Sequence, residues 1–171
     1  MAFEKYSVRI QAPLERVYAL YTDLGNIPRW FPQARAVENA TASMITPGAR
    51  FTIRFQGRPD ANEEVLEVVP NAMHRRKFVQ AQGGLGAWGR AVIRFRAVEG
   101  GTEVEEEVEY GFLPGFLAPL LSALMDSQAR AAIRSELYSF KTFAEREAGK
   151  VPNSEAAPAS RSASASNGAR A

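Results

Sequence analysis

The sequence predicts an α+β domain in which a curved antiparallel sheet wraps one long C-terminal helix. Three observations carry this expectation. Apolar and polar residues alternate through the middle of the chain, as in "RFTIRFQ" and "AVIRFRAVEGGTEVEEEVEYGF". One apolar stripe at helical spacing runs from Ala118 to about Ala148. Only two short helical patterns occur elsewhere, so the long helix is the only large partner for the sheet's apolar face.

Taken in order, "YSVRI" places Tyr6, Val8 and Ile10 on one face of a short strand. Pro13 opens a helix, where its missing N–H is harmless. Leu14, Val17, Tyr18, Tyr21 and Leu24 follow at helical spacing until Gly25 ends the run. Asn26 is placed to cap a very short second helix carrying Pro28 to Phe31, which Pro32 then discourages. The strand "RFTIRFQ" puts Phe51, Ile53 and Phe55 on one face. "EEVLEVV" and "RRKFVQ" read as further strands, with "QGGLGAWG" as the hairpin loop after them. That loop opens no helix, so it fails the context of a phosphate-binding loop.

Gly100-Gly101 reads as a two-residue hairpin turn, because such turns need positive φ. Pairing Glu99 with Thr102 sets Arg94 against Glu107 and Arg96 against Glu105 on one face. Ile93 then faces Val108, Phe95 faces Glu106 and Ala91 faces Tyr110 on the other. In the long helix the stripe is Leu121, Leu124, Met125, Ala129, Ala132, Ile133, Leu137, Phe140 and Ala144, with Arg130, Arg134, Lys141, Glu145 and Arg146 on the wet side. About seven strands result, and the domain spans 1–148.

Composition narrows the function. The 171-residue chain has no cysteine, which removes disulfides, thiolate metal sites and cysteine nucleophiles. From Gly149 onward there are three basic residues (Lys150, Arg161, Arg170) and one acid (Glu155). Without them, 18 basic and 18 acidic residues remain of the chain's 21 and 19. A neutral body argues against nucleic acid as a partner. The Ala/Ser-rich segment 149–171 lacks periodicity and is expected to be disordered. The start "MAFEKYSVRIQAP" has no apolar signal core, so a cytoplasmic location is expected. No residues show metal-ligand spacing, and neither a metal nor a cofactor is expected.

The segments "IQAPLERVYALYTDLGNIPRWFP", "GARFTIRF", "GGTEVEEEVEY" and "RSELYSFKTFAE", in this order, resemble the START-like (SRPBCC, helix-grip) superfamily. The likeness is to its polyketide cyclase/dehydrase type and covers roughly Tyr6 to Glu147. Tyr18 departs from the pattern, since many relatives carry a tryptophan there. The resemblance implies that the two short helices form a V supporting the long helix at one end of a cavity. Trp30 and Phe31 would gate or plug that end, or simply fill the core beneath the helix.

A cavity between sheet and helix would be lined by Tyr21, Trp30, Phe31, Phe51, Ile53, Phe55, Phe78, Ile93, Phe95, Tyr110, Leu121 and Met125. Glu106 projects inward on an otherwise apolar strand face, where desolvation raises a carboxyl pKa. Arg76 shares a face with Phe78 and His74, with His74 across Phe95 from Glu106. These groups read either as cavity polar handles or as a rim ion pair. No catalytic residue is assigned, the candidates being Glu106, Tyr110 and His74. The uncharged run of residues 111–125 is too short and too proline-broken to span a bilayer. It reads as packed interior or as an apolar lid that could touch a membrane transiently.

Three functions remain open. The first is a binder or carrier of a small hydrophobic ligand, such as a lipid, quinone or polyketide-like aromatic. The second is a cyclase or dehydratase acting on such a ligand, and the third a protein–protein adaptor or chaperone-like factor.

Overall fold

The computed structural model describes residues 2–82, 85–112 and 118–149, the side chains of 81, 82, 85, 86, 112 and 118–126 excepted. Of the C-terminal tail expected to be disordered over 149–171, residues 150–171 lie outside the described residues, and of the lid expected over 111–125 so do residues 113–117 and the side chains of 112 and 118–125. The elements are β1 (Ala2–Ile10), α1 (Leu14–Thr22), a 3-10 turn (Leu24–Asn26), α2 (Ile27–Trp30), β2 (Ala34–Glu38), β3 (Arg50–Phe55), β4 (Ala61–Val69), β5 (Met73–Gln82), β6 (Leu85–Val98), β7 (Gly101–Phe112) and α3 (Ala118–Gly149). All neighbouring strands pair antiparallel in the order β1-β7-β6-β5-β4-β3-β2, so the first strand returns beside the last. This is the α+β, helix-grip arrangement that the alternation and the single long helix predict.

Pro13 stands at the N-cap of α1, in the extended conformation that precedes a helix. The helix ends at Thr22 and does not reach Leu24, because Asp23 is extended and its carboxylate accepts from the Gly25 N–H at 2.9 Å. Asn26 does not cap α2 with its side chain. Its buried amide instead donates to the Leu20 carbonyl (3.3 Å) and to Asp23 (3.2 Å), and it accepts from Arg29 at 2.9 Å. A buried amide must be satisfied somewhere, and here that ties the two short helices together.

Two strand expectations change. Residues 85–89 belong to β6 and Ala81-Gln82 to β5, so most of "QGGLGAWG" is strand and not loop. The β6–β7 register also shifts by two. Val98 pairs with Gly101, setting Phe95 against Val104, Ile93 against Glu106 and Arg94 against Glu105. Gly100 supplies the turn φ (74°), while Gly101, with φ 154°, already begins β7. Gly101 is needed for another reason: a Cβ there would lie 2.1 Å from the Ile10 carbonyl oxygen. A two-residue shift leaves every side chain on its original face, so the inward set survives. Outward, Arg94 reaches Glu107 at 2.6 Å and Arg96 pairs with Glu103.

One end of the sheet–helix layer is solidly packed. Tyr21 sits at its centre, with ring centroids 5.3 Å from Phe140, 5.4 Å from Phe95 and 5.7 Å from Trp30. Ile10, Val17, Ile27, Ile53, Ile93, Leu137, Phe140, Phe143 and Ala144 are buried around it. Toward the other end, Ala129, Ala132, Ile133 and Glu136 of α3 border a cavity. Among the described residues no helix is long and apolar enough to cross a membrane.

Candidate ligand cavity

The alternation of the central strands determines which side chains the cavity receives. In β7 it turns Glu106, Val108 and Tyr110 inward, in β5 Arg76, Phe78 and Gln80, and in β4 Ala61 and Glu63. Gly89, which pairs with both Phe78 and Tyr110, makes room for the Phe78 ring. A Cβ at Gly89 would meet that ring at 2.5 Å. With Phe31, Phe55, Ala91 and the α3 residues, these walls enclose a cavity of about 630 Å³. That is within the range of small-molecule sites. Arg58, in the β3–β4 loop, lies 3.6 Å from the Phe55 ring centroid and 5.4 Å from that of Phe31.

One wall carries a buried charge cluster. The Arg76 guanidinium lies 2.8 Å from Glu136, 3.5 Å from Glu106 and 3.5 Å from Glu63. Arg76, Glu63 and Glu106 are almost fully buried, with side-chain exposure of 3–4%. The small Ala91 beside Arg76 in the ladder leaves the guanidinium room to serve acids from two strands and the helix. Burial pushes the Glu106 carboxyl up to about 8, aided by Glu136 and only partly offset by Arg76. Burial likewise lifts Glu63 to about 7, again against the pull of Arg76. Burial works against the Arg76 cation, yet Glu63, Tyr21, Glu136 and Glu106 together hold its pKa well above the usual value. The wall therefore holds a fixed cation beside carboxyls that can gain or lose a proton near neutral pH. Such a group can donate or accept a hydrogen bond, and it can exchange a proton with a bound molecule.

Of the residues singled out from sequence, Phe31, Phe55, Arg76, Phe78, Glu106 and Tyr110 line this cavity. Tyr21, Trp30, Phe51, Ile53, Ile93 and Phe95 lie in the packed core, away from its walls. The two proline-bracketed aromatics thus divide. Trp30 packs on Phe140 (5.1 Å), while Phe31, half-buried, meets Phe55 (5.2 Å) at the cavity. Leu121 and Met125 lie outside the described side chains. His74 is fully buried off the cavity, where its Nε2 donates to the Met44 carbonyl at 2.9 Å. Burial holds it neutral, with a pKa near 4. It lies across Ile93, and not Phe95, from Glu106.

Three charged residues that border the cavity escaped the sequence reading. Glu136 lies between Ile133 and Phe140 on the helix's apolar stripe, a position that marks it as inward. Glu63 shares the inward face with Ala61 and Val65, but its neighbour Glu64 obscures the alternation. Arg58 carries no periodic signal at all.

The sequence matches the family described as polyketide cyclase/dehydrase and lipid transport over residues 5–145. Solved structures share the fold at low identity. A conserved protein from Geobacillus kaustophilus is 14% identical, with a TM-score of 0.71, covering 85% of this chain and 97% of that one. An uncharacterized protein from Rhizobium leguminosarum is 19% identical, with a TM-score of 0.66, covering 85% and 95%. DynU16, from the dynemicin biosynthetic locus, is 17% identical with a TM-score of 0.63; the match covers 85% of this chain and 48% of that one. With 141 consecutive residues matched, the chain belongs to the polyketide cyclase/dehydrase and lipid transport family of the SRPBCC superfamily.

Proposed function

We propose that this chain binds a small hydrophobic molecule, such as a lipid, quinone or polyketide-like aromatic, and carries it in the cytoplasm. The observation that carries this reading is the cavity of about 630 Å³, walled by aromatic and aliphatic side chains with one polar cluster. Ligand sites are generally built this way, with apolar walls for affinity and few polar groups for orientation. The family description, which includes lipid transport, supports it. Titration with the neutral fluorophore N-phenyl-1-naphthylamine tests it. Wild type is expected to bind saturably, one probe per chain. Ala129→Phe, which projects a ring from α3 into the cavity, is expected to weaken binding at least about tenfold while the chain stays folded. Equal binding by both proteins, or none by wild type, would remove the reading.

Glu106 favours a second reading, a cyclase or dehydratase acting on the same ligand. A carboxyl held near pKa 8 in a cavity wall can serve as a general acid or base. Mass spectrometry of a bound ligand before and after incubation separates the two. A carrier returns it unchanged, whereas a dehydratase returns it without one water, and Glu106→Gln would stop that loss.

A further inference from the structure

We propose that the cavity selects a neutral ligand bearing a hydroxyl group, an alcohol or a phenol, and rejects carboxylates. The inference rests on the cavity reading and specifies the polar end of the ligand. Among the described residues that border the cavity, three are acidic (Glu63, Glu106, Glu136) and two basic (Arg58, Arg76).

Three atoms of the cluster are buried without a hydrogen-bond partner, Glu63 Oε2, Arg76 Nε and Arg76 Nη1. Oε2 accepts and the two nitrogens donate, and Oε2 lies 3.5 Å from Nε, an ion pair longer than an ordinary hydrogen bond. A hydroxyl both donates and accepts, so a single such group can donate to Oε2 and accept from a guanidinium N–H. A carboxylate only accepts, and it would bring a fourth acid to a wall where three already share Arg76. An ammonium only donates, and it would face the Arg76 guanidinium. Leaving either buried partner unsatisfied is what allows a site to reject the wrong head group.

The surrounding charges agree. The groups facing the cluster are Glu63 from β4, Arg76 and the neutral His74 from β5, Glu106 and Tyr110 from β7, Glu136 from α3, Tyr21 from α1 and Arg58 from the β3–β4 loop. Arg58, the other cation, has its guanidinium over the Phe55 ring. Burial lifts the Glu106 and Glu63 pKa values to about 8 and 7, so near neutral pH the wall retains a proton and moves toward charge balance. A neutral head group preserves that balance. An anion would require further proton uptake, so its affinity should fall as pH rises.

Displacement of N-phenyl-1-naphthylamine by 1-decanol, decanoate and decylamine at pH 7.5 tests the proposal, since the three share one chain and differ only in the head. Decanol is expected to bind at least about tenfold more tightly than either charged analogue. Decanoate is expected to gain affinity as pH falls from 8 to 6, beyond any change for decanol. Glu63→Gln, which removes one acid from the wall, is expected to narrow the decanol–decanoate gap. Its folded state is checked by thermal melting, and the wild-type ranking decides without it. Decanoate or decylamine binding as tightly as decanol would overturn the hydroxyl assignment and leave the cavity reading intact. Failure of the probe and of all three chains to bind would overturn both.

Discussion

Glu106→Gln should make the protein's stability less dependent on pH. The folded chain keeps the Glu106 proton up to about pH 8, whereas an unfolded glutamate releases it near 4.5. Raising the pH between these values therefore favours the unfolded chain, and the contribution is lost as pH passes through 8. At about 1.4 kcal/mol per pH unit, a rise from 4.5 to about 8 corresponds to roughly 5 kcal/mol as an upper bound. At about 2–4 °C per kcal/mol for a chain of this size, this corresponds to about 10–20 °C in Tm. Water entry reduces it, and a change of about 5–15 °C is the expectation.

The quantity to follow is the Tm difference between Glu106→Gln and wild type, measured by calorimetry from pH 5 to pH 9. Wild type alone mixes two opposite slopes. Buried, neutral His74 has its pKa lowered to about 4, so stability falls as pH drops from 6.5 toward 4. The difference cancels His74 and isolates Glu106. The variant should gain on wild type steadily as pH rises toward 8. A flat difference would show that Glu106 does not titrate in this window. A variant weaker by about 3–5 kcal/mol at every pH would show that the Glu106 charge itself holds Arg76 in place. Arg76 retains Glu136 at 2.8 Å and Glu63 at 3.5 Å, which is why that loss is not expected.

Arg76→Met should behave oppositely, because it leaves three acids on a wall without their shared cation. Urea unfolding is expected to show a loss of about 3–5 kcal/mol at pH 8 and a smaller one at pH 5, where Glu63 and Glu106 take up protons. Gly101→Ala should cost at least about 2 kcal/mol, since its methyl would lie 2.1 Å from backbone that cannot yield easily. Equal stability of wild type and variant in the same assay would refute the β1–β7 approach. Phe140→Ala should cost about 3–5 kcal/mol by opening a cavity under Tyr21 and Trp30. Because that void lies in the packed end, it should leave N-phenyl-1-naphthylamine affinity nearly unchanged.

The sheet was legible because strand alternation has period two and is independent of pairing. Glu106 could be turned inward from "EVEEEVEY" although its partner is Ile93 and not the Phe95 that the sequence suggests. The misassignment came from Gly100-Gly101, where two glycines can each be explained by a turn. Only the return of β1 against β7 reveals that Gly101 serves a close approach instead. Short β2 (Ala34–Glu38) was not read as a strand, since a bulge between Ala34 and Ala36 breaks its pattern.

The site was harder to read than the sheet. Alternation says that a residue faces inward, but not how far along the helix the packed core gives way to open space. Ile93 and Phe95 share a face with Ala91, yet of these three only Ala91 reaches the cavity. The charge cluster unites β4, β5, β7 and α3, and no local pattern relates residues so far apart. Glu136 was missed as well, although its place between Ile133 and Phe140 on the apolar stripe offered a signal that it faces inward.

The central claim is that a hydrophobic molecule lodges between the sheet and α3 with its polar end at Arg76. Amide and methyl chemical shifts of the isotope-labelled protein, followed by NMR as 1-decanol is added, test it most directly. The account predicts saturable shifts concentrated at Ala91, Val108, Ile133 and Phe78, together with the Arg76 side-chain NH signals. Tyr21 and Trp30 in the packed core, and exposed Phe3, should move little. No saturable change, or shifts centred on Phe3 and Tyr138 at the surface, would contradict it.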